Sequence, residues 1–543
     1  MSEAPLMLGV SGLRGIVGES LTPEVAVRYA AAFGAWLSNL EEVITVAVSR
    51  DGRQGGEKIQ ALVMDALKES GIHVLDAGVM MTPSLAVFAD SQQAHGVQIT
   101  ASHNPQEWNG IKLLINEYAI GGHEFGKVSA AAPPLEIANA VIDNFKNGIA
   151  HDGKIHGGIQ HNYRRTDDGQ HAAHVRKAMS DESSSQQYFL NSIASAGYTC
   201  VVDSVNCSGS DATWYLMEEL GCRYIQLHGD NSGIFPHTPE PTAENLSGEG
   251  GLCDAVPGLK ADVGFAQDPD GDRLAIVDEK GRYIGEEYTL VLAAMSILEA
   301  RSSAPPPPVG ELSPKVTEGA SARTPSDRSA ATSAVGDGGG EITPHPDPLP
   351  QGEREEDVVI CVNLSTSRMI DDVAARYGAR VVRTAVGEAN VVEAMKRLRK
   401  EGKSVILGGE GNGGVIWPEV TYVRDSLGAM ALTLSLMART GKTVSELVAD
   451  VPSYAIVKRK QPLARKEDAT PTVEKLAAHY RAMGEGVRVD TQDGVRIDFD
   501  ADRSWVHVRA SNTEPILRLI GEAPTPERAE AVLDEVQRLV DAG

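Results

Sequence analysis

Three times along the chain an apolar run suited to a buried strand is followed by a helical stretch and another apolar run, and this alternation constrains the fold more than any other feature. ITVAVS at 44–49, GEKIQALVMDALKESG, HVLDAG and GVQITAS form the first set. YTCVVDSVN, SDATWYLMEELG, RYIQLH and ADVGFAQ form the second; DVVICVNLS, SRMIDDVAARYG, ARVVRTAV, NVVEAMKRLRKEG and SVILGG form the third. Buried strands alternating with helices call for parallel sheets in α/β domains. The tail changes period: VRVDTQDGVRIDFDADRSWVHVRAS and ILRLIGEA alternate in steps of two, and PERAEAVLDEVQRLVDAG is helical, the pattern of a small antiparallel α+β unit. The expected fold is α/β: three similar α/β domains with mixed, largely parallel sheets plus a C-terminal α+β domain around a central cleft. The domains are expected at residues 1–156, 185–283, 284–446 and 452–543.

Two stretches stand outside this rhythm. Residues 302–356 hold ten of the 28 prolines and no Phe, Tyr or Trp, too little apolar area to offset ordering entropy, so they read as a disordered insertion in the third domain. Residues 151–184 are polar and carry five of the 14 histidines (His151, His156, His161, His171, His174) at irregular spacing; they read as an exposed connection. The net charge of −25 argues against nucleic acid or an anionic membrane surface as partner, but not against a small phosphorylated substrate, because the field inside a cleft can oppose the global sign. No apolar run approaches the ~20 residues of a membrane span, and the N-terminus has no apolar signal segment. Five cysteines without CxxC spacing fit a reducing cytoplasm.

Four motifs carry chemistry. Thr100-Ala-Ser-His-Asn-Pro105 ends the strand GVQITAS, where ligands bind in an α/β sheet; Ser102 is a candidate nucleophile with His103 beside it, and no GxSxG elbow supports a hydrolase triad. Asp268-Pro-Asp-Gly-Asp-Arg273 places Asp268, Asp270 and Asp272 at alternate positions, all-oxygen ligands for Mg²⁺ or Ca²⁺. An EF-hand is disfavoured because Arg273 stands where that loop requires Gly and the flanks read as strands. Gly408-Gly-Glu-Gly-Asn-Gly-Gly414 formally matches GxGxxG, but Val-Ile-Trp417-Pro418 follows instead of a helix, excluding a dinucleotide fingerprint; Glu410 and Asn412 instead offer a carboxylate and an amide to sugar hydroxyls. Arg509-Ala-Ser-Asn-Thr513-Glu-Pro-Ile-Leu-Arg518 combines guanidinium forks with hydroxyls and an amide, a grip for phosphate. A nucleophilic serine, a cation site, a polyol loop and a phosphate clamp on four domains are the parts for phosphoryl transfer to and from a sugar.

These motifs, in this order and preceded by Ser11-Gly-Leu-Arg14-Gly15, resemble the α-D-phosphohexomutase superfamily: phosphoglucomutase, phosphomannomutase and phosphoglucosamine mutase. Phe235-Pro-His237 with Pro239-Glu-Pro241 resembles a further family segment. The resemblance covers nearly all of the chain except 302–356 and roughly 157–184. It implies an intramolecular phosphotransferase that interconverts hexose 6-phosphate and hexose 1-phosphate through a bisphosphorylated sugar, with Ser102 carried as phosphoserine. It implies Mg²⁺ between that phosphate and Asp268, Asp270 and Asp272. Arg14 and Lys112 would line the reaction site beside His103, Lys112 as proton donor or acceptor, and Arg273 would help hold the transferring group. Glu410 and Asn412 would hold sugar hydroxyls, and Arg509, Ser511, Asn512, Thr513 and Arg518 the phosphate that is not reacting. The implied partner is a phosphorylated hexose or hexosamine, with no nucleic acid or membrane, in a cytoplasmic monomer or homodimer.

Many members have Gly where Pro269 stands; the ligands survive that change. The Gly-Glu-Gly-Asn-Gly-Gly loop resembles the phosphoglucosamine mutase branch, where other branches carry Ser and His after the Glu. Glucosamine 6-phosphate and glucosamine 1-phosphate are therefore the first expectation and glucose or mannose phosphates the alternative. A serine-nucleophile phosphatase would not need the second clamp, and an inactive sugar-phosphate-binding scaffold would not retain Ser102 and all three aspartates.

Overall fold

The computed structural model describes residues 5–40, 44–117, 130–150, 161–162, 168–180, 189–302, 357–511 and 516–541. The expected insertion lies outside the described residues apart from Ser302, which ends the helix Glu286–Ser302.

Among the described residues, four sheets follow one another along the chain. In the first, Thr45–Arg50, His73–Val79 and His95–Ile99 pair in parallel, while Trp108–Leu114 turns back antiparallel and the hairpin Met7–Gly9 and Gly12–Ile16 extends it. Val46 and Val48 face one apolar cluster, with the helices Pro23–Leu37 and Gly56–Glu69, and Ala47 faces another on the opposite side. A parallel sheet covered on both faces produces this continuous apolar strand. The second sheet pairs Thr199–Asp203 in parallel with Arg223–Leu227 and Val263–Gln267, and Leu274–Val277 returns antiparallel. The third pairs Val358–Asn363 in parallel with Arg380–Thr384 and Ser404–Glu410, and Gly414–Ile416 returns antiparallel. The fourth is a five-stranded antiparallel sheet covered by Ala469–Arg481 and Pro526–Asp541.

The topology has a consequence for function. In each of the first three sheets the chemical motif occupies the turn between a parallel strand and the antiparallel strand that follows: 100–107, 268–273 and 411–413. The fourth motif spans the end of Ser504–Ala510 and the start of the antiparallel Ile516–Ala523. Three hairpin tips and these strand ends are thus the elements that have to converge.

The connection expected at 151–184 is not merely an exposed link. Asp168–Ser180 is a helix, and His171, Ala172, Val175, Ala178 and Met179 are buried. Ala172, Val175 and Met179 recur at helical spacing, so an apolar stripe packs inward although the segment is polar on average. His171 bridges Ser84 Oγ at 3.0 Å and Asp425 Oδ2 at 3.1 Å, tying the first sheet's helix Thr82–Ser91 to the start of Ser426–Thr440.

Candidate active site

Ser102 sits at the first hairpin tip with a left-handed φ of 50°, costly for a residue with a Cβ and sustained only where surroundings over-determine it. They do so here. Its N–H donates to Thr100 Oγ1 at 2.8 Å, and Thr100 donates to Asp51 Oδ2 at 2.6 Å. Arg53, fully buried and paired with Asp51 at 2.8 Å, donates to the carbonyls of Ser102 and Trp108. Arg14 donates to Asn104 Oδ1 at 3.1 Å and the Ala101 carbonyl at 3.3 Å.

Ser102 Oγ donates to Asp268 Oδ2 at 2.6 Å, across 166 residues of sequence, and lies 3.3 Å from His103 Nδ1. Burial, aided by the cations Arg273 and Arg14, lowers the His103 pKa to about 2, so the ring is neutral at physiological pH.

The acidic loop is held from three sides. Thr82 of the first domain donates its N–H to the Asp270 carbonyl and its hydroxyl to Asp270 Oδ2, both short contacts of 2.8 and 2.7 Å. Ser208 donates to the Pro269 carbonyl at 2.7 Å and Ser426 to the Gly271 carbonyl at 2.8 Å. Asp268, Asp270 and Asp272 are buried, and one carboxylate oxygen from each lies within 4.8 Å of the others. Burial first, then Asp270 and Asp272, pushes the Asp268 pKa up. Burial opposes ionisation of Asp272 too, but Arg424, Lys112 and Arg273 outweigh it and bring its pKa down. Asp270 Oδ1 and Asp272 Oδ1 are buried without a hydrogen-bond partner among the described residues. Three crowded carboxylates with two orphaned oxygens fit a hard divalent cation such as Mg²⁺, whose charge removes the mutual repulsion and whose coordination uses the free lone pairs.

Lys112 is buried, with Nζ 2.9 Å from Asp272, 4.0 Å from Asp270 and 3.6 Å from Glu388. Burial alone would lower its pKa; the three carboxylates reverse this and raise it, leaving an ammonium. Arg273 donates its N–H to Asp268 Oδ1 at 3.1 Å, and its Nε has no hydrogen-bond partner among the described residues.

The third hairpin docks directly on the second: Leu274 N–H donates to the Gly413 carbonyl at 3.0 Å. Gly413 has φ +82°, and a Cβ there would meet the Leu274 carbonyl oxygen at 2.5 Å, so the approach requires glycine. Glu410 accepts from Asn363 at 2.8 Å, Gly387 N–H at 3.2 Å and Arg424 at 3.1 Å. The Asn412 amide oxygen is buried without a partner among the described residues.

On the fourth sheet, Arg509 lies in register with Arg518, and Arg518 with Lys460 on the next strand. Directly opposed residues share a face, and like charges so placed repel unless an anion lies between them. Asp493 pairs with Arg509 at 3.2 Å. Ser511 is buried at the tip; Asn512 and Thr513 lie outside the described residues.

Sequence reasoning missed Asp51, Arg53, Glu388, Arg424 and Lys460. Arg424 is the hub, donating to Asp272 at 2.6 Å, Glu388 at 3.2 Å and Glu410 at 3.1 Å. Asp51, Arg53 and Glu388 lie just beyond parallel strands, at Thr45–Arg50 and Arg380–Thr384. Charged residues at such ends were the available signal. Arg424 and Lys460 carry no comparable local signature.

The chain is similar to known proteins over all four domains. The four domain families of phosphoglucomutase/phosphomannomutase match in order: alpha/beta/alpha domain I at residues 5–125, domain II at 179–281, domain III at 349–454 and the C-terminal domain at 459–539. The phosphoglucomutase/phosphomannomutase of Thermococcus kodakarensis is 32% identical over 531 residues, covering 97% of each chain. The protein named "Probable phosphoglucosamine mutase" of Methanopyrus kandleri is 31% identical, covering 98% of this chain and 97% of its own. Among solved structures, a phosphoglucomutase/phosphomannomutase family protein of Burkholderia thailandensis superposes with TM-score 0.70 at 22% identity, covering 99% of this chain and 98% of that one. The Paramecium parafusin phosphoglucomutase in its open form gives 0.66 at 16% identity, covering 99% and 95%. These two show likeness of fold.

Proposed function

The chain belongs to the phosphoglucomutase/phosphomannomutase family and is a phosphohexomutase, and on that premise we propose which of its residues carry the reaction and which sugar it prefers. Ser102 holds the phosphoryl group between half-reactions. Phosphoserine gives the group to the free hydroxyl of a sugar monophosphate: the Oγ–P bond breaks as the sugar O–P bond forms, and the hydroxyl proton leaves to a base. The bisphosphorylated sugar then turns, and its other phosphoryl returns to Ser102. The observation that carries this assignment is the 2.6 Å contact between Ser102 Oγ and Asp268 of a different domain, which joins nucleophile and acidic loop in one site.

Phosphoryl transfer asks mainly for alignment and charge neutralisation. Arg14, Arg273 and Lys112 supply cationic charge around the transferred group; Asp272 and Asp270 help hold Lys112 as an ammonium, and a cation taken up by those two carboxylates would make its proton easier to lose, so that Lys112 can exchange a proton with the sugar hydroxyl. His103 lies 3.3 Å from Oγ and helps to orient it. Mg²⁺, held by Asp268, Asp270, Asp272 and the serine phosphate, would add Lewis-acid charge at the reacting oxygens. Arg509, Arg518, Ser511 and Lys460, with Asn512 and Thr513, grip the distant phosphate, and one grip serves both orientations because it does not distinguish which phosphate it holds. Asn412 and Glu410 orient the ring between the two ends.

The preferred pair is glucosamine 6-phosphate and glucosamine 1-phosphate. The Gly-Glu-Gly-Asn-Gly-Gly loop supports this, as does the Methanopyrus relative's name. The Thermococcus relative's name favours glucose or mannose phosphates as the second reading. Purified protein assayed side by side on glucosamine, glucose and mannose 6-phosphates is expected to show the highest kcat/KM on glucosamine; a higher value on either of the others overturns the preference.

A further inference from the structure

A second cluster of ligating side chains lies in the second domain, apart from the acidic loop. Asp203 ends the strand Thr199–Asp203. His228 Nδ1 and His237 Nε2 each lie 2.9 Å from the same oxygen, Asp203 Oδ2. The two rings approach from different sides, 5.4 Å apart and inclined at 68°. Asp203 is 1% exposed, while the histidines are 29% and 19% exposed, so the cluster is anchored inside and reachable from solvent.

The hydrogen bonds around it fix what can lie between these atoms. His237 Nδ1 is 2.8 Å from the Thr238 carbonyl oxygen. A carbonyl only accepts, so Nδ1 carries the hydrogen, and in the neutral ring Nε2 then presents a lone pair. That lone pair faces a carboxylate oxygen at hydrogen-bond distance, a repulsive contact unless a proton or a metal ion lies between them. The outer atoms are engaged as those of metal ligands are: an imidazole N–H on a backbone carbonyl, and Asp203 Oδ1 accepting from Val205 N–H at 3.0 Å. The fold also holds Val205, Asn206 and His228, none of them glycine, in the left-handed region.

We propose that Asp203, His228 and His237 form a binding site for a divalent transition metal ion of the zinc class. Two imidazoles and a carboxylate are borderline donors that suit Zn²⁺ better than Mg²⁺, and three protein ligands leave the fourth tetrahedral position to water. Bonds of about 2.0–2.2 Å set tetrahedral ligand atoms about 3.4 Å apart, so the rings need to retreat only slightly. The ion would fasten the segment carrying His237 to the sheet. That segment reaches the serine loop: Gln106 donates to the Gly233 carbonyl at 3.0 Å and accepts from Phe235 N–H at 2.8 Å. Arg53 lies over the Phe235 ring at 5.2 Å. The role is therefore structural, bracing the base of the serine loop.

The test uses the full chain, stripped with chelator and returned to excess Mg²⁺ so that the acidic loop is saturated. It is then titrated with Zn²⁺, read by elemental analysis after gel filtration, and with Co²⁺, read by visible absorption. One equivalent of Zn²⁺ retained, with an intense Co²⁺ band of four-coordinate nitrogen ligation, is expected. His237→Gln and His228→Gln should each weaken Zn²⁺ binding at least 100-fold, while Asp270→Asn leaves it unchanged. Wild-type protein that retains no Zn²⁺ above background in Mg²⁺ would show that a proton alone bridges these groups and would overturn the proposal, whatever the variants do. Equal Zn²⁺ retention by folded His237→Gln protein would overturn it as well.

Discussion

The proposed reaction centre and the fourth-domain cation row, both assigned here to phosphate, are built differently. Around Ser102 most charged groups are buried and interlocked, Arg14 and Arg273 being half-buried: Arg424 alone contacts Asp272, Glu388 and Glu410, and Lys112 adds Asp272 and Glu388. On the fourth sheet, Lys460 and Arg518 are exposed, and Asp493 is the acid paired with Arg509 at 3.2 Å. The first arrangement is preorganised, with the desolvation of its charges already met on folding. The second keeps Lys460 and Arg518 in water, free to turn to whichever phosphate arrives. Electrostatic stabilisation of a transition state needs the former; gripping a group that changes identity in mid-cycle is served by the latter.

The largest effect expected is at the nucleophile. Ser102→Ala should remove nearly all turnover, because no other group can hold the phosphoryl group, and intact mass should show the phosphoryl adduct on active wild-type protein but not on this variant. Wild-type turnover by the alanine protein would end the assignment. Asp270→Asn should lower kcat roughly 100-fold or more, by analogy with metal sites that lose even supporting contacts, with partial rescue by excess Mg²⁺. EDTA should silence the wild type, and full activity in EDTA would mean that the acidic loop needs no metal.

Arg424→Met tests whether the interlocking at the reaction centre stabilises the fold. Removing one partner of a buried ionic network costs about 3–5 kcal/mol, read as a clear drop in melting temperature together with lost activity. An unchanged melting temperature would erase this difference between the two regions. At the other pole, Arg509→Ala should lower kcat/KM about 10- to 150-fold, the equivalent of one charge-assisted pair at ~1.5–3 kcal/mol. KM should rise and kcat fall together, because remote binding aligns the reacting end, while the melting temperature barely moves. Lys460→Ala should act in the same sense but more weakly, within about 0.2–1 kcal/mol as for exposed pairs. A kcat/KM unaffected by both substitutions would take the three-strand cation row out of the grip.

The sequence by itself determined the elements and their chemistry. Apolar runs in alternation with helices specified the parallel strands Thr45–Arg50, Thr199–Asp203 and Val358–Asn363, and the period of two specified the antiparallel tail, because local patterns of burial are written in consecutive residues. Ser102, the three aspartates, Glu410 and Arg509 could be singled out as candidates because each sits in a short motif at or beside a strand end. What only the tertiary structure decided is which of these meet. Ser102 and Asp268 touch across 166 positions and His171 and Asp425 across 254, and no local pattern encodes a distance set by the packing of separate domains. Arg424 looks like an ordinary surface charge before a helix until Asp272, Glu388 and Glu410 close around it. The polar stretch around His171 looks like a link until its helix buries one stripe. In both places average polarity misleads, because burial is fixed by the few side chains that face a neighbouring domain.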